Sequence, residues 1–370
     1  MVRRPVQPEG DGAPDPGGPV APSEGVQPRR RVWMHPVVRV VPLVIGLAVA
    51  VPLLAGRRAE LSQATTTLQH LRPAWLGAAI AIELASLGAY VVLQRRLLVA
   101  GGVVVPLAPL AGITLAGNAI QNSLPAGPAW SAVFAFRQFR RLGVDPVLAG
   151  WTMVTVSIVS SICLVAVAVI GLGLAASVAS SFDLTGVIVV VAVGAVAVVI
   201  ALRYVLHSGR ALTLATRAVH LCQRVTGRPK GDARNVVLQA ADRLGAVRPA
   251  RGDWAVAVCC GLANWLLDAG ALALAFLAVR AAVPWRGLLL TYGTAQLASN
   301  LPITPGGLGV VEGSLSIGLV LYGGAEQSTV AAVLLYRIVS FWTLLPLGWA
   351  SWLGLHWRAR RRPAPVGSRP

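Results

Sequence analysis

Six apolar stretches, near 36–56, 73–94, 149–175, 183–202, 254–279 and 329–355, each reach the roughly 20 residues that a helix needs to cross the hydrocarbon core of a bilayer. In hydrocarbon the backbone must pair internally, so broken chain is tolerated only where it is buried in protein or lines a polar cavity. That constraint gives weight to SNLPITPGGLGVVEG, Ser299 to Gly313, where two prolines, four glycines and one carboxylate interrupt apolar sequence. Written as a single membrane helix, it would lose backbone hydrogen bonds at Pro302 and Pro305. The segment marks the working part of an all-α polytopic membrane protein.

Composition removes the competing classes. At 55% hydrophobic and 12% charged residues, with a mean hydropathy of +0.69, the 370 residues do not describe an ordinary soluble enzyme. The net charge of +18 would suggest a nucleic-acid partner, but the arginines cluster between apolar runs, where they record membrane orientation. No nucleic acid is expected. Cys163, Cys222, Cys259 and Cys260 show neither metal-ligand spacing nor a disulfide framework, and the five histidines are scattered. No metal or cofactor is expected. Residues 1–32 read as a disordered, Pro/Gly-rich cytoplasmic tail. No signal peptide precedes the apolar run that starts near Pro36. A transmembrane domain follows over 33–357, then a basic cytoplasmic tail over 358–370.

Basic clusters set the orientation. Arg29, Arg30 and Arg31, the ten Arg and Lys residues of 203–251, and Arg358, Arg360, Arg361 and Arg362 all belong on the cytoplasmic side. Ser177–Asp183 carries no basic residue and belongs outside. If 108–136 dips in and returns, Arg137, Arg140 and Arg141 also land inside, and 287–323 must then enter and leave from the outer side. The expectation is about six full spans plus two re-entrant helical hairpins, eight hydrophobic segments in all, in the cell membrane with both termini cytoplasmic. Eight plain crossings is the alternative. Within 203–251, Arg210, Arg217 and Arg224 recur every seven residues, which predicts an amphipathic helix on the anionic inner leaflet.

The two hairpins resemble each other. TLAGNAIQNSLPAGP starts at Thr114 and TYGTAQLASNLPITPGG at Thr291, and Asn122 and Asn300 lie 178 residues apart. Each sits between two spans. With one hairpin opening inward and the other outward, the pattern is an inverted internal repeat, the architecture of many secondary transporters.

Ionisable residues inside spans are expensive, so each is a candidate. Glu83 and Asp268 lie about 15 Å and about 21 Å into their helices at 1.5 Å per residue, near the middle of a core about 30 Å thick. Asn264 is one turn before Asp268 on the same face. They read either as a polar cavity for a charged or hydroxylated headgroup, or as hydrogen bonds that fix helix packing. Glu312 and Arg337 fall at similar depth and compensate each other, either as a static pair or with Arg337 meeting a lipid phosphate. Asn118, Gln121, Asn122, Gln296 and Asn300 put amides beside the two breaks, where unpaired N–H groups favour anions. Pro125, Pro302, Thr304, Pro305, Gly306, Gly307 and Gly309 form the breaks and complete the candidate cavity.

At these residues the chain resembles the lysylphosphatidylglycerol synthase transmembrane-region family. The Pro-x-x-Pro-Gly-Gly-x-Gly-x-x-Glu-Gly segment is carried by Pro302, Pro305, Gly306, Gly307, Gly309, Glu312 and Gly313. Tyr336, Arg337, Phe341 and Trp342 match its Tyr-Arg and aromatic-rich helix, and Asn122, Pro125 and Gly127 match an earlier Asn-x-x-Pro-x-Gly, with Ser131 and Arg137 following. The resemblance covers roughly 36–356. In bifunctional members this region precedes a soluble aminoacyltransferase domain and is implicated in moving the aminoacylated lipid between leaflets. With about 14 residues after its last span, the chain is expected to be the translocation-type module alone, without lysyl transfer.

The expected function is to bind and translocate an anionic phospholipid or polyprenyl-phosphate lipid, as a non-enzyme. The expected partners are membrane lipids and a separate lipid-modifying enzyme. The alternative is a non-transporting scaffold or regulator of a lipid or cell-envelope pathway. A membrane-embedded transferase using Glu83 and Asp268 comes third.

Overall fold

The computed structural model describes residues 71–124, 126–176, 249–299 and 305–361. The apolar runs 36–56 and 183–202, the N-terminal tail, the C-terminal tail beyond Arg361, nearly all of the basic segment 203–251, and Pro125, Asn300, Pro302 and Thr304 lie outside the described residues. Every regular element among those described is helical: α1 Pro73–Ala100, α2 Leu107–Ser123, α3 Gly127–Arg141, α4 Pro146–Ala176, α5 Arg251–Ala278, α6 Trp285–Ser299, a short 3₁₀ turn Pro305–Gly307, α7 Val310–Leu321, α8 Glu326–Arg337, a π turn Ile338–Trp342 and α9 Leu344–Arg361.

Local chemistry sets the boundaries. Pro73 opens α1 and Pro146 opens α4, where a missing N–H costs nothing. Asp145 caps α4 by accepting the Val147 N–H at 2.8 Å, and Asp253 takes the Ala250 N–H at 2.8 Å at the start of α5. These caps explain why the helices outrun the apolar windows. The run 254–279 becomes 251–278, and 149–175 becomes 146–176.

Among the described residues, four helices are long and apolar enough to cross a membrane: Pro73–Ala100, Pro146–Ala176, Arg251–Ala278 and the continuous stretch Glu326–Trp357. By contrast α2, α3, α6 and α7 have 17, 15, 15 and 12 residues, about 18–26 Å each at 1.5 Å per residue. They fold back in pairs. Gly117 faces Ser131 while Gln121 faces Gly127, and Gly287 faces Tyr322 while Thr291 faces Gly318. Residue numbers fall on one arm as they rise on the other, so both hairpins are antiparallel.

The long helices pair in the same sense. On α1 and α5 the contacts run from Arg72 N–H with Ala278 O (3.0 Å), through Ser86 Oγ–H with Asn264 O (2.8 Å), to Arg96 with Asp253 (2.9 Å). Each hairpin's first arm lies on a long helix from the other half of the chain. α6 packs on α4 where Gly293 meets Ala168 and Gly171 meets the Leu289–Leu290 backbone. α2 packs on α9 where Gly348 meets Leu115 and Ala119. Lipid supplies no hydrophobic force between helices, so close approach over glycine and alanine provides the van der Waals attraction instead. Val154, Ile162, Ile170 and Leu174 of α4 and Ile317 and Leu321 of α7 stay half or more exposed, an apolar outer surface suited to acyl chains.

Candidate functional site

Two breaks in the helices build the site. At the first, Leu124 is extended and Ala126 sits in the left-handed region at φ 53°, which costs a non-glycine residue about 1 kcal/mol or more. Gly127 follows, and a Cβ there would overlap the Gln121 carbonyl. At the second, Pro305 begins the 3₁₀ turn, and Gly306, Gly307 and Gly309 take φ of 62°, 66° and 84°. Glycine is the residue that adopts three such angles without strain. Gly306 lies beneath the Phe341 ring and against the Asn122 carbonyl, so the second break touches the first.

Where the breaks meet, a cavity of about 650 Å³ opens. Glu83, Ser86 and Tyr90 of α1 line it, with Asn118, Gln121 and Asn122 of α2 opposite. Asn264 and Asp268 of α5, Gln296 of α6, Gly306 and Arg337 complete the polar wall. Asp268 Oδ2 accepts from the Tyr292 hydroxyl at 2.7 Å and Oδ1 from the Tyr336 hydroxyl at 2.7 Å. Gln296 Nε2 donates to the Tyr336 oxygen at 3.2 Å. These bonds replace the hydration that Asp268 forfeits by burial. Glu83 faces Asp268 within hydrogen-bonding reach. Ser86 bonds the Asn264 carbonyl, and Asn122 Nδ2 bonds Asn118 Oδ1 at 2.8 Å.

Arg337 anchors the second break. Its Nε donates to Glu312 Oε1 at 2.7 Å, its Nη2 to the Gly306 carbonyl at 3.1 Å, and its guanidinium stacks 4.6 Å over the Phe341 ring. Glu312 Oε2 accepts the Gly309 N–H at 2.6 Å, which ties the start of α7 to the end of α8. The π turn begins directly after Arg337, with Thr343 N–H reaching Ile338 O at 2.9 Å. The wider turn shifts the helix register and sets Phe341 beneath the guanidinium.

Of the candidates read from sequence, Glu83, Asn118, Gln121, Asn122, Asn264, Asp268, Gln296, Gly306 and Arg337 share the cavity. Gly307, Gly309 and Glu312 stand behind the wall as its support. Sequence reasoning passed over Tyr292, Tyr336 and Ser86 as site residues. Tyr292 lies one turn before Gln296, and Tyr336 directly precedes Arg337, so helical spacing from named candidates was the available signal. Among the described residues no His, Cys, Asp and Glu side chains are grouped to hold a metal. The wall thus offers amide donors and one guanidinium beside an acidic pair in which two phenols hold Asp268.

A family model described as the lysylphosphatidylglycerol synthase TM region matches residues 40–348, a range that includes both breaks, the cavity and Arg337. No curated protein matches the chain significantly.

Proposed function

The chain belongs to the lysylphosphatidylglycerol synthase TM region family, and from that membership and its cavity we propose that it binds an anionic phospholipid or polyprenyl-phosphate lipid and carries it across the cytoplasmic membrane. The observation that carries the reading is the polar cavity at the junction of two broken hairpins, inside a multi-pass bundle whose outer face is apolar. A headgroup needs such a passage, because moving its charge through hydrocarbon costs many kcal/mol. Amides of Asn118, Gln121 and Asn122 would take phosphate oxygens while acyl chains stay in lipid.

An inverted repeat supports the two-sided path. Ser86 and Asn264 are 178 residues apart, the same offset as Asn122 and Asn300, and they hydrogen-bond each other. Equivalent residues touch only at a two-fold axis. Read as equivalent helices, α1 and α5, each of 28 residues, lie antiparallel, and in one membrane antiparallel helices start from opposite faces. Gly101 abuts Leu148, so the α2–α3 excursion returns to the side it left. Six spans and two re-entrant hairpins with cytoplasmic termini accommodate both features, whereas eight plain crossings would set α1 and α5 parallel. No ATP-binding motif occurs, so movement is passive or gradient-coupled, and lipid leaves chemically unchanged for a separate modifying enzyme.

One observation favours a second reading, a non-transporting scaffold: Arg337 already spends Nε and Nη2 on Glu312 and Gly306. The test uses liposomes of phosphatidylethanolamine and phosphatidylglycerol carrying NBD-labelled phosphatidylglycerol, with dithionite bleaching the outer leaflet. Purified full-length chain should accelerate loss of the protected fluorescence. No acceleration over empty liposomes, with labelled phosphatidylglycerol still bound by the protein, would select the scaffold. A covalently altered lipid in the same vesicles would select a transferase.

A further inference from the structure

Two acidic side chains face each other in the cavity wall without a basic partner of their own among the described residues. Glu83 is 7% exposed, lines the cavity, and its Oε2 has no hydrogen-bond partner among the described residues. The groups that face the pair can be named helix by helix. α1 adds Tyr90, α6 adds Tyr292, and α8 adds Tyr336 and Arg337, with Glu312 of α7 behind the arginine. α2, α3 and α4 contribute only neutral side chains, such as Thr114, Ser131 and Ser160. Both tyrosines donate to Asp268, and Arg337 attracts it from a distance while bonded to Glu312. Among the described residues that line the cavity, Arg337 is the one cation, and Glu312 matches it before the pair is counted.

Like charges at contact in a water-poor site do not both persist without a cation or a proton. We propose that the Glu83–Asp268 pair is a proton site, and that its occupancy is linked to anion binding in the same cavity. The proposal rests on the anionic-headgroup reading above. With the proton absent, the pair repels a phosphate entering beside it. With the proton bound, an incoming phosphate meets the amides and Arg337 with less opposing charge. Linkage is reciprocal, so an anion raises proton affinity by the factor by which a proton raises anion affinity. A carrier loaded this way takes up a proton from water onto a carboxylate together with its headgroup, and the proton gradient becomes its energy source.

Two measurements on the full chain in detergent test this. Infrared spectra should show the carbonyl stretch of a protonated carboxylic acid in the wild type, lost in Glu83→Gln. Titration with short-chain dihexanoyl-phosphatidylglycerol should show affinity falling as pH rises from mildly acidic to mildly alkaline, by up to about tenfold per pH unit for one linked proton. In Glu83→Gln that slope should flatten. If this variant does not fold, Asp268→Asn is measured instead, with the melting transition as the control. An absent carbonyl band overturns the proton site. A band with pH-independent affinity overturns the linkage and leaves the anionic-lipid reading standing. A band with no binding of dihexanoyl-phosphatidylglycerol at any pH overturns both the linkage and that reading.

Discussion

Glu312 and Arg337 are 12% and 10% exposed at the side chain and 2.7 Å apart. Removing either strands the other's charge, at a cost of about 3–5 kcal/mol for a buried pair. Glu312→Gln and Arg337→Gln should therefore each lower the melting temperature in detergent, and the double variant should regain part of the loss. Additive losses would show that the two charges are not coupled. Tyr336→Phe tests the other pole. It removes a hydroxyl that donates to Asp268 and accepts from Gln296, and a hydrogen bond to a charged group contributes about 1.5–3 kcal/mol. Its melting temperature should drop by less than that of Arg337→Gln, and binding of short-chain phosphatidylglycerol should weaken. Unchanged stability and binding would remove Tyr336 from the site.

At the scale of elements, glycines decide where helices stop and how closely they pack. Gly127→Ala would drive a methyl into the Gln121 carbonyl, and Gly306→Ala would combine a φ of 62° with a clash against Phe341. Each should destabilise by about 1–3 kcal/mol, the range of a strained backbone position. Gly313→Ala, with open space around its Cβ position, is the control and should be near neutral. Equal melting temperatures for all three would mean that the breaks tolerate a side chain. The positions of the two helix breaks were legible in outline because Pro and Gly interrupt the apolar sequence of 108–136 and 287–323. The π turn after Arg337 was not, since Ile338–Trp342 reads as ordinary apolar helix and the packing of Phe341 and Gly306 selects the wider turn.

For the whole molecule, the proposed topology of six spans and two re-entrant hairpins makes a labelling prediction. Single cysteines at Arg140 and Arg243, in a background lacking Cys163, Cys222, Cys259 and Cys260, should resist an impermeant thiol reagent in intact cells and react after permeabilisation. Labelling of position 140 from outside would restore eight crossings. Arg140 lies in α3 beside its end, where its Nη1 donates to the Val144 carbonyl at 3.2 Å. Moving that turn to the other face would carry the whole first hairpin with it.

Hydropathy, arginine distribution and the Pro-Gly punctuation of Ser299–Gly313 by themselves determined the membrane class, the approximate helix positions and the residue types of the polar wall. These are local properties, set by transfer free energy and by backbone groups that Pro and Gly cannot pair or constrain. Which polar residues meet is a matter of distance, and only tertiary structure decided it. Glu83 and Asp268 are separated by half of the chain, yet the antiparallel pairing of α1 and α5 brings their carboxyl groups face to face. Tyr292 looks like aromatic filler in sequence, and Tyr336 shows there only as part of a Tyr-Arg motif. They become the ligands of Asp268 because α6 and α8 present them to one buried carboxyl that burial had stripped of water.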